Sequence, residues 1–254
     1  MIRVHEHRYE YMEEINKEIL RQIPYNKAQS PAMVLDVGCG SGALSKAIQD
    51  KGYSVWGIES NKEAAAKADG RIHKVINADL TEVTLVKQEI GQKVFDYIVF
   101  SDVLEHVYDP FSIIKEYLVF LKRGGFILVS VPNAVAWTNR LKFLFGRFEY
   151  SDTGIMDRTH IRFFTFRTSK LLVKAAGCTI VRVDYSPYFL RVFLWLIKRI
   201  YTRGQDVHET DRRQLIDSQS YKWYVKYIYP VEYCVGYLCR SLFAFRIIIV
   251  GRKI

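Results

Sequence analysis

Val34-Leu35-Asp36-Val37-Gly38-Cys39-Gly40-Ser41-Gly42 is the stretch that decides the fold. A short apolar run carries one carboxylate, enters a glycine-rich turn and continues into a helical pattern from Ser41. Glycines let the backbone bend tightly and approach a ligand closely. The helix N-terminus that follows offers free N–H groups and the positive end of a dipole. In nicotinamide-binding folds that place holds a pyrophosphate, with glycines spaced G-x-G-x-x-G. Here the spacing is G-x-G-x-G, and Asp36 would repel a pyrophosphate. A cationic or zwitterionic ligand suits it better.

Working outward, apolar runs and helical patterns alternate. Strands are expected at Ala32–Val37, Ser54–Ile58, Ile72–Ile76, Phe95–Phe100, Phe126–Val131 and Thr179–Asp184, with a seventh at Phe243–Val250. Helices are expected at Ser41–Lys51, Asn61–Ala68, Pro110–Leu121 and Thr165–Ala176, the last closed by Gly177. Before them, Tyr11, Ile15, Ile19 and Ile23 recur at about one helical turn, so a helix is expected over His7–Ile23, stopped by Pro24. Strands alternating with helices of about ten residues mean βαβ units and a parallel sheet. The strands are almost solidly apolar, as when both faces of a sheet are covered. The expected fold is therefore α/β, a Rossmann-like sheet of seven mostly parallel strands with helices on both faces. The expected organisation is one domain over 1–254: an N-terminal helix (1–30), a ligand-binding core (31–186), a helical cap (187–242) and a last strand (243–254).

The 254 residues are 49% hydrophobic and 25% charged, which excludes disordered and low-complexity classes. Cys39, Cys178, Cys234 and Cys239 form no CxxC pair and no Cys/His spacing typical of zinc, so neither a disulfide scaffold nor a metal site is expected. Met1–Glu6 lacks an apolar leader, and no stretch is apolar enough to span a bilayer. A reducing, cytoplasmic setting is expected. The net charge of +10 is uneven: residues 187–254 carry 12 Lys/Arg against 5 Asp/Glu and 14 of the 36 aromatics. A basic aromatic segment suits an anionic membrane surface, a phosphorylated substrate or nucleic acid, or it is a solvated face over an aromatic core. No RRM, KH or helix-turn-helix signature supports nucleic acid.

Three further motifs fall at the ends of strands. Glu59, about twenty residues beyond the glycines, can accept hydrogen bonds from two ribose hydroxyls. Asp79, in Asn77-Ala78-Asp79-Leu80, can accept from an adenine amino group. Phe95-Asp96-Tyr97-Ile98-Val99-Phe100-Ser101-Asp102-Val103-Leu104-Glu105-His106-Val107 places polar residues just after the fourth strand. Each also has a plainer reading: Asp36 organises the loop, Glu59 caps the helix near Asn61, and Asp79 organises a turn.

Together and in this order, the motifs from Val34 to Ile180 resemble the class I S-adenosylmethionine-dependent methyltransferases. The resemblance implies that the last strand is antiparallel. It implies that Asp36, Gly38 and Gly40, with Cys39 and Gly42, wrap the methionine part of the cofactor. Glu59, with Ser60, binds the ribose, Asp79 and Leu80 flank the adenine, and Ser101 and Leu104 close the far side. The cofactor would leave as S-adenosylhomocysteine. The Leu-Glu-His-Val run and Leu121-Lys122-Arg123-Gly124-Gly125, expected as a turn, resemble the branch that includes ubiquinone-pathway enzymes.

Methyl transfer to a hydroxyl needs an aligned nucleophile and a place for its proton. Asp157-Arg158-Thr159-His160-Ile161-Arg162-Phe163-Phe164-Thr165 packs an acid, two guanidiniums and an imidazole together, and resembles a motif of methyltransferases associated with cell-surface glycan synthesis. His160 is expected as general base, with Asp157 orienting its other ring nitrogen and His106 as rival. The plainer reading has Thr165 capping the next helix and His160 fastening the loop. Arg158 and Arg162 are expected to hold a phosphate or carboxylate on the acceptor, with Tyr11 also on the acceptor side. The expected reaction is O-methylation of a sugar or glycan-linked acceptor, phosphorylated or carried on lipid or nucleotide. The alternatives are a small amine or quinone-type precursor and, more distantly, an inactive nucleotide- or RNA-binding module. The basic aromatic cap is expected to touch the inner face of a membrane, and a homodimer is a candidate assembly.

Overall fold

The computed structural model describes residues 15–28, 30–187 and 224–254. Seven strands, β1 (Met33–Val37), β2 (Ser54–Glu59), β3 (Lys74–Asn77), β4 (Phe95–Ser101), β5 (Leu121–Pro132), β6 (Cys178–Pro187) and β7 (Ala244–Lys253), make one sheet. Its order is β3-β2-β1-β4-β5-β7-β6. The first five run parallel, and β7 lies antiparallel between β5 and β6. The seven expected strands and the antiparallel last one are borne out.

Alternate residues of each central strand serve opposite layers, as a period of two dictates. Leu35, Ile98, Phe100, Ile127 and Ile247 fill the core on one face, and Val34, Val99, Leu128 and Ile248 fill the other. Helices α2 (Ala43–Gln49), α3 (Lys62–Asp69), α5 (Pro110–Tyr117) and α7 (Phe166–Ala175) stand where the sequence pattern expects helices. Two more, α4 (Val83–Ile90) and α6 (Trp137–Leu144), join them. In α4, Val86 and Ile90, one turn apart, are buried. The helices α8 (Tyr229–Leu238) and α9 (Arg240–Phe243) lead into β7.

Three expectations need correction. Helix α1 spans Lys17–Gln22, so Ile15 and Asn16 lie outside it, because the Asn16 side chain caps its first turn by accepting from the Ile19 amide. The Leu121–Gly125 segment is not a turn between elements but a bulge inside β5. Phe95 pairs with Leu121 and Tyr97 with Phe126, so four residues of β5 stand against Asp96 alone. Lys122 secures the bulge with an ion pair to Asp96 at 2.8 Å. Finally, of the expected cap (187–242) only 187 and 224–242 fall within the described residues, and Tyr11 lies outside them. Among those residues, no helix is long and apolar enough to cross a membrane.

The strand order reverses between β1 and β4. In open α/β sheets, the carboxyl ends at such a reversal form the ligand crevice.

Candidate active site

The glycine turn is fixed by its own backbone. The amides of Gly38 and Cys39 both donate to the Ile58 carbonyl, at 2.8 and 3.0 Å. Gly38 has φ +75°, and a Cβ there would meet Val103 Cγ2 at 2.4 Å, so only glycine fits. Gly42 caps α2 in a left-handed conformation. Glu59, buried at the end of β2, accepts from the Gly40 amide at 2.9 Å through Oε2 and from the Asn61 amide at 2.8 Å through Oε1. It therefore does the helix-end work of the plainer reading while tying the glycine turn to β2.

Asp36 lies one residue before the end of β1, beside Gly57 and Val99 on the neighbouring strands. It is 1% exposed, and its Oδ2 accepts from Ser45 at 2.5 Å, while Oδ1 has no hydrogen-bond partner. Burial, offset in part by the Ser45 hydroxyl and reinforced by Glu59, pushes its carboxyl up to about 6. A buried acceptor without a donor is costly. An ammonium or sulfonium ligand at this turn would relieve the cost, so the donor set fits the cofactor that the resemblance implies. Cys39 is buried, and its thiol is pushed up by burial and then by Asp36 and Glu59, which makes it unreactive lining.

The remaining cofactor candidates divide. Asp79 is exposed and accepts from the Thr81 amide and hydroxyl at 2.8 and 2.5 Å, organising its turn. Leu80 accepts from the Tyr117 hydroxyl through its carbonyl, and Ser60 accepts from Asn77 in the same way. Ser101 is half-buried at the end of β4 and accepts from Asn16 at 3.2 Å. Leu104 is a correction: it is fully buried in the main core, so its side chain serves packing rather than the ligand edge.

On the acceptor side, the turn after β4 and the loop before α7 are stitched together. The Glu105 carbonyl accepts from the amides of both Ile161 and Arg162, at 2.9 and 3.0 Å. This brings His160 against His106, with ring centroids 4.9 Å apart. His106 Nδ1 lies 3.2 Å from the Thr159 carbonyl, and His160 Nδ1 lies 3.0 Å from the Ile155 carbonyl. A carbonyl only accepts, so each neutral ring carries its proton on Nδ1 and presents Nε2 as a lone pair. Desolvation, and then the His160 ring, lower the pKa of His106. Beneath them Glu105 is 1% exposed, and its Oε2 has no hydrogen-bond partner. Burial first, then the Asp102 charge, raise its carboxyl well above the usual range.

Asp157 does not orient His160. Its Oδ1 accepts from the Thr159 amide and hydroxyl at 2.9 and 2.7 Å, and the Ile155 carbonyl takes the place expected for it. Arg158 pairs with Asp152 at 2.9 Å, and Arg162 donates to the Tyr108 carbonyl at 2.8 Å, so both guanidiniums are engaged within the protein. Thr165 does cap α7, in a reciprocal box with Thr168.

Several polar residues escaped the sequence reading. Asp102 has φ +55°, a strained position for a residue other than glycine. Its carboxylate accepts from Ser130 at 2.7 Å and pairs with Arg246 at 2.7 Å. Asn16 donates to Ser130 at 3.0 Å, which ties α1 to the ends of β4 and β5. Glu105 was in view beside His106, but no spacing rule links either of them to His160, more than fifty residues on.

A family model described as "Methyltransferase domain" matches residues 4–183. A ubiquinone biosynthesis O-methyltransferase of Pseudomonas paraeruginosa is 37% identical over 106 residues, 39% of this chain and 44% of that protein. The enzyme of the same name from Acinetobacter baumannii is 30% identical over 175 residues, 63% of this chain and 70% of that protein. The chain thus spans under half the length of the first relative. A crystal structure of a SAM-dependent methyltransferase from Archaeoglobus fulgidus shares the fold, with a TM-score of 0.59 and 20% identity, over 93% of this chain and 92% of that one.

Proposed function

The chain belongs to the methyltransferase-domain family, whose cofactor is S-adenosylmethionine, and from that premise we propose that it methylates an oxygen of a small hydroxylated acceptor. The bound cofactor supplies a methyl group on a positively charged sulfur, which is electrophilic without further activation. What remains for the chain is to hold the cofactor, align the acceptor and deal with the hydroxyl proton.

Asp36, the Gly38–Gly42 turn and Glu59 are the groups that would hold the methionine and ribose parts, with Asp79 and Leu80 at the adenine. The observation that carries an oxygen acceptor is the cluster of Glu105, His106 and His160, whose ligand-type atoms lie within 4.8 Å of one another. Both imidazoles keep Nε2 for a proton or an electrophile. An acceptor hydroxyl brought there meets two lone pairs beside a buried carboxylate. A neutral amine would not need them.

Among oxygen acceptors, a quinone-type phenol has more support than a sugar conjugate. The relatives at 30 and 37% identity are named for ubiquinone biosynthesis. Arg158 and Arg162, which a phosphorylated glycan would need, are engaged elsewhere. Next to the site, Phe143, Phe148, Tyr150 and Phe163 form a chain of ring contacts. Leu144 and Phe145 there are more than 70% exposed, and Arg140, Lys142 and Arg147 flank them. Such a basic aromatic surface suits an acceptor arriving from an anionic bilayer.

The test is methyl transfer from labelled S-adenosylmethionine to a panel of ortho-diphenols, sugar conjugates and amines. Labelled product from a diphenol, reduced at least tenfold in His160→Gln, is expected. Transfer only to amines, indifferent to His160→Gln, would contradict the reading.

A further inference from the structure

We propose that the protein holds a second ligand site, for a diphosphate ester, at the end of the sheet opposite the cofactor edge. Two adjoining cavities form it, and Val181 borders both. The first, of about 560 Å³, lies where β5 and β6 begin and β7 ends, and is lined by Arg123, Gly124, Thr179, Arg252 and Lys253. The second, of about 330 Å³, lies between the end of α1 and the sheet. Pro24, Tyr97, Phe126 and Val250 give it apolar walls, with Arg21 and Arg182 beside them. Volumes of this order suit a small organic ligand.

The first cavity is built for an anion. No carboxylate side chain lines either cavity. Arg123 is exposed on the β5 bulge and makes no hydrogen bond or ion pair among the described residues. Arg252 is held in place without an acid: its Nε donates to the Gly124 carbonyl at 3.2 Å, and its guanidinium lies 6.0 Å from the centre of the Phe126 ring. Gly124, at φ +75°, leaves that guanidinium its room, since a Cβ there would come within 3.4 Å of Nη2. Lys253 adds a third positive charge, its ammonium anchored on the Leu118 and Leu121 carbonyls at 2.6 and 2.7 Å. Ile254 also borders the cavity, and its one terminal carboxylate is outnumbered. Like charges gathered in a concavity attract an anion, and planar guanidiniums match phosphate oxygens in pairs. Two guanidiniums and an ammonium exceed the charge of one phosphate monoester and suit a diphosphate.

The second cavity takes the esterified group. The rings of Tyr97 and Phe126 stack with centroids 5.6 Å apart, and Phe126 is the ring over which Arg252 lies. A group attached to a diphosphate in the first cavity would therefore reach this apolar wall. A nucleoside and a prenyl chain both satisfy that chemistry. The site shares no residue with the glycine turn, Glu59 or the Glu105, His106 and His160 cluster, so it stands apart from the proposed function.

The experiment is calorimetric titration of the full chain, at physiological salt, with inorganic pyrophosphate, uridine diphosphate and geranyl diphosphate. A parallel series contains excess S-adenosylhomocysteine to occupy the cofactor edge. One equivalent of pyrophosphate is expected to bind with submillimolar affinity in both series. One of the two esters should bind at least about tenfold more tightly, which identifies the organic group. Arg123→Gln and Arg252→Gln should each weaken pyrophosphate binding at least about tenfold. Arg167→Gln, which removes the same charge from an exposed position on α7, should leave it unchanged. Arg123 is exposed, so its variant keeps the test open if Arg252→Gln does not fold. No binding at millimolar pyrophosphate, an equal loss in Arg167→Gln, or competition by S-adenosylhomocysteine would overturn the site. Esters that bind no more tightly than pyrophosphate would overturn its extension into the second cavity.

Discussion

The two halves of the ligand edge are built differently. On the β1–β2 side, the groups proposed to meet the cofactor lie within 24 residues, from Asp36 to Glu59, and the glycine turn is held by backbone amides and one carboxylate. On the β4–β5 side, Glu105 and His106 meet His160 only because one carbonyl, that of Glu105, gathers the amides of Ile161 and Arg162. The first half is local and preset by a strand, a turn and a helix. The second is assembled across a long sequence gap by a loop. Substitutions in the first half should therefore cost cofactor binding or folding. Substitutions in the second should change chemistry while the cofactor still binds.

The largest expected break of that division is at Glu59. Glu59→Ala removes the acceptor of two amides as well as the proposed ribose contact, and should weaken S-adenosylhomocysteine binding by about 3–4 kcal/mol, at least 100-fold. Calorimetry reads this directly, and a change below threefold would show that the preset half does not depend on its carboxylate.

Asp36 comes next, through pH. Its folded-state pKa of about 6 lies above the ordinary value of 3.8, because burial disfavours the ionised form. The folded protein thus holds this proton more tightly than the unfolded chain. That stabilisation is fully present below pH 4 and is lost as pH rises through 6, a change of about 3 kcal/mol. Asp36→Asn cannot titrate, so the stability difference between the two proteins should shift by about that amount between pH 4 and pH 7. Denaturant melts at the two pH values measure it. Parallel curves would mean that Asp36 is not desolvated in solution. The same variant should bind cofactor more weakly, since the unpaired carboxylate oxygen is the group that a cationic ligand would meet.

A smaller effect is expected at Gly38. An alanine there takes an unfavourable φ and its Cβ collides with Val103, which should cost about 2–3 kcal/mol in stability. Val103→Ala in the same chain should restore part of the loss, because the collision is relieved while the backbone strain stays. No restoration in the thermal melts would place the cost elsewhere.

The smallest effect sharpens the contrast. Asp157→Asn keeps an acceptor for Thr159 and does not touch the His160 ring, so kcat should change less than threefold and stability by under about 0.5 kcal/mol. A loss of a hundredfold or more in kcat would restore Asp157 to the orienting role expected from the sequence.

This contrast also explains what the sequence could show. The strands, the glycine turn and Glu59 were legible because their roles follow from short-range rules: a period of two, glycine at a tight turn, an acid at a fixed offset. Helix α4 went unread because its two buried residues, Val86 and Ile90, give a short stripe in a mostly exposed segment. The β5 bulge looked like a turn because Gly124 and Gly125 carry the local signal of one, and only pairing with Phe95 and Tyr97 shows the strand continuing through it. Leu104 looked like a ligand contact by position, but the helical turn after β4 sends it into the core. The roles of Asp157, Arg158 and Arg162 were inferred from proximity in sequence, and each found a nearer partner in its own loop or neighbouring turn. The meeting of Glu105, His106 and His160 was beyond reach, since nothing in their spacing predicts that a shared carbonyl will bring them together.

The most direct test of the central claim is calorimetric titration of the wild-type chain with S-adenosylhomocysteine. One site of micromolar affinity is expected, weakened at least about 100-fold by Glu59→Ala and left intact by His160→Gln. An absence of binding by the wild-type chain would contradict it, because the preset half of the ligand edge would then be a turn without its cofactor.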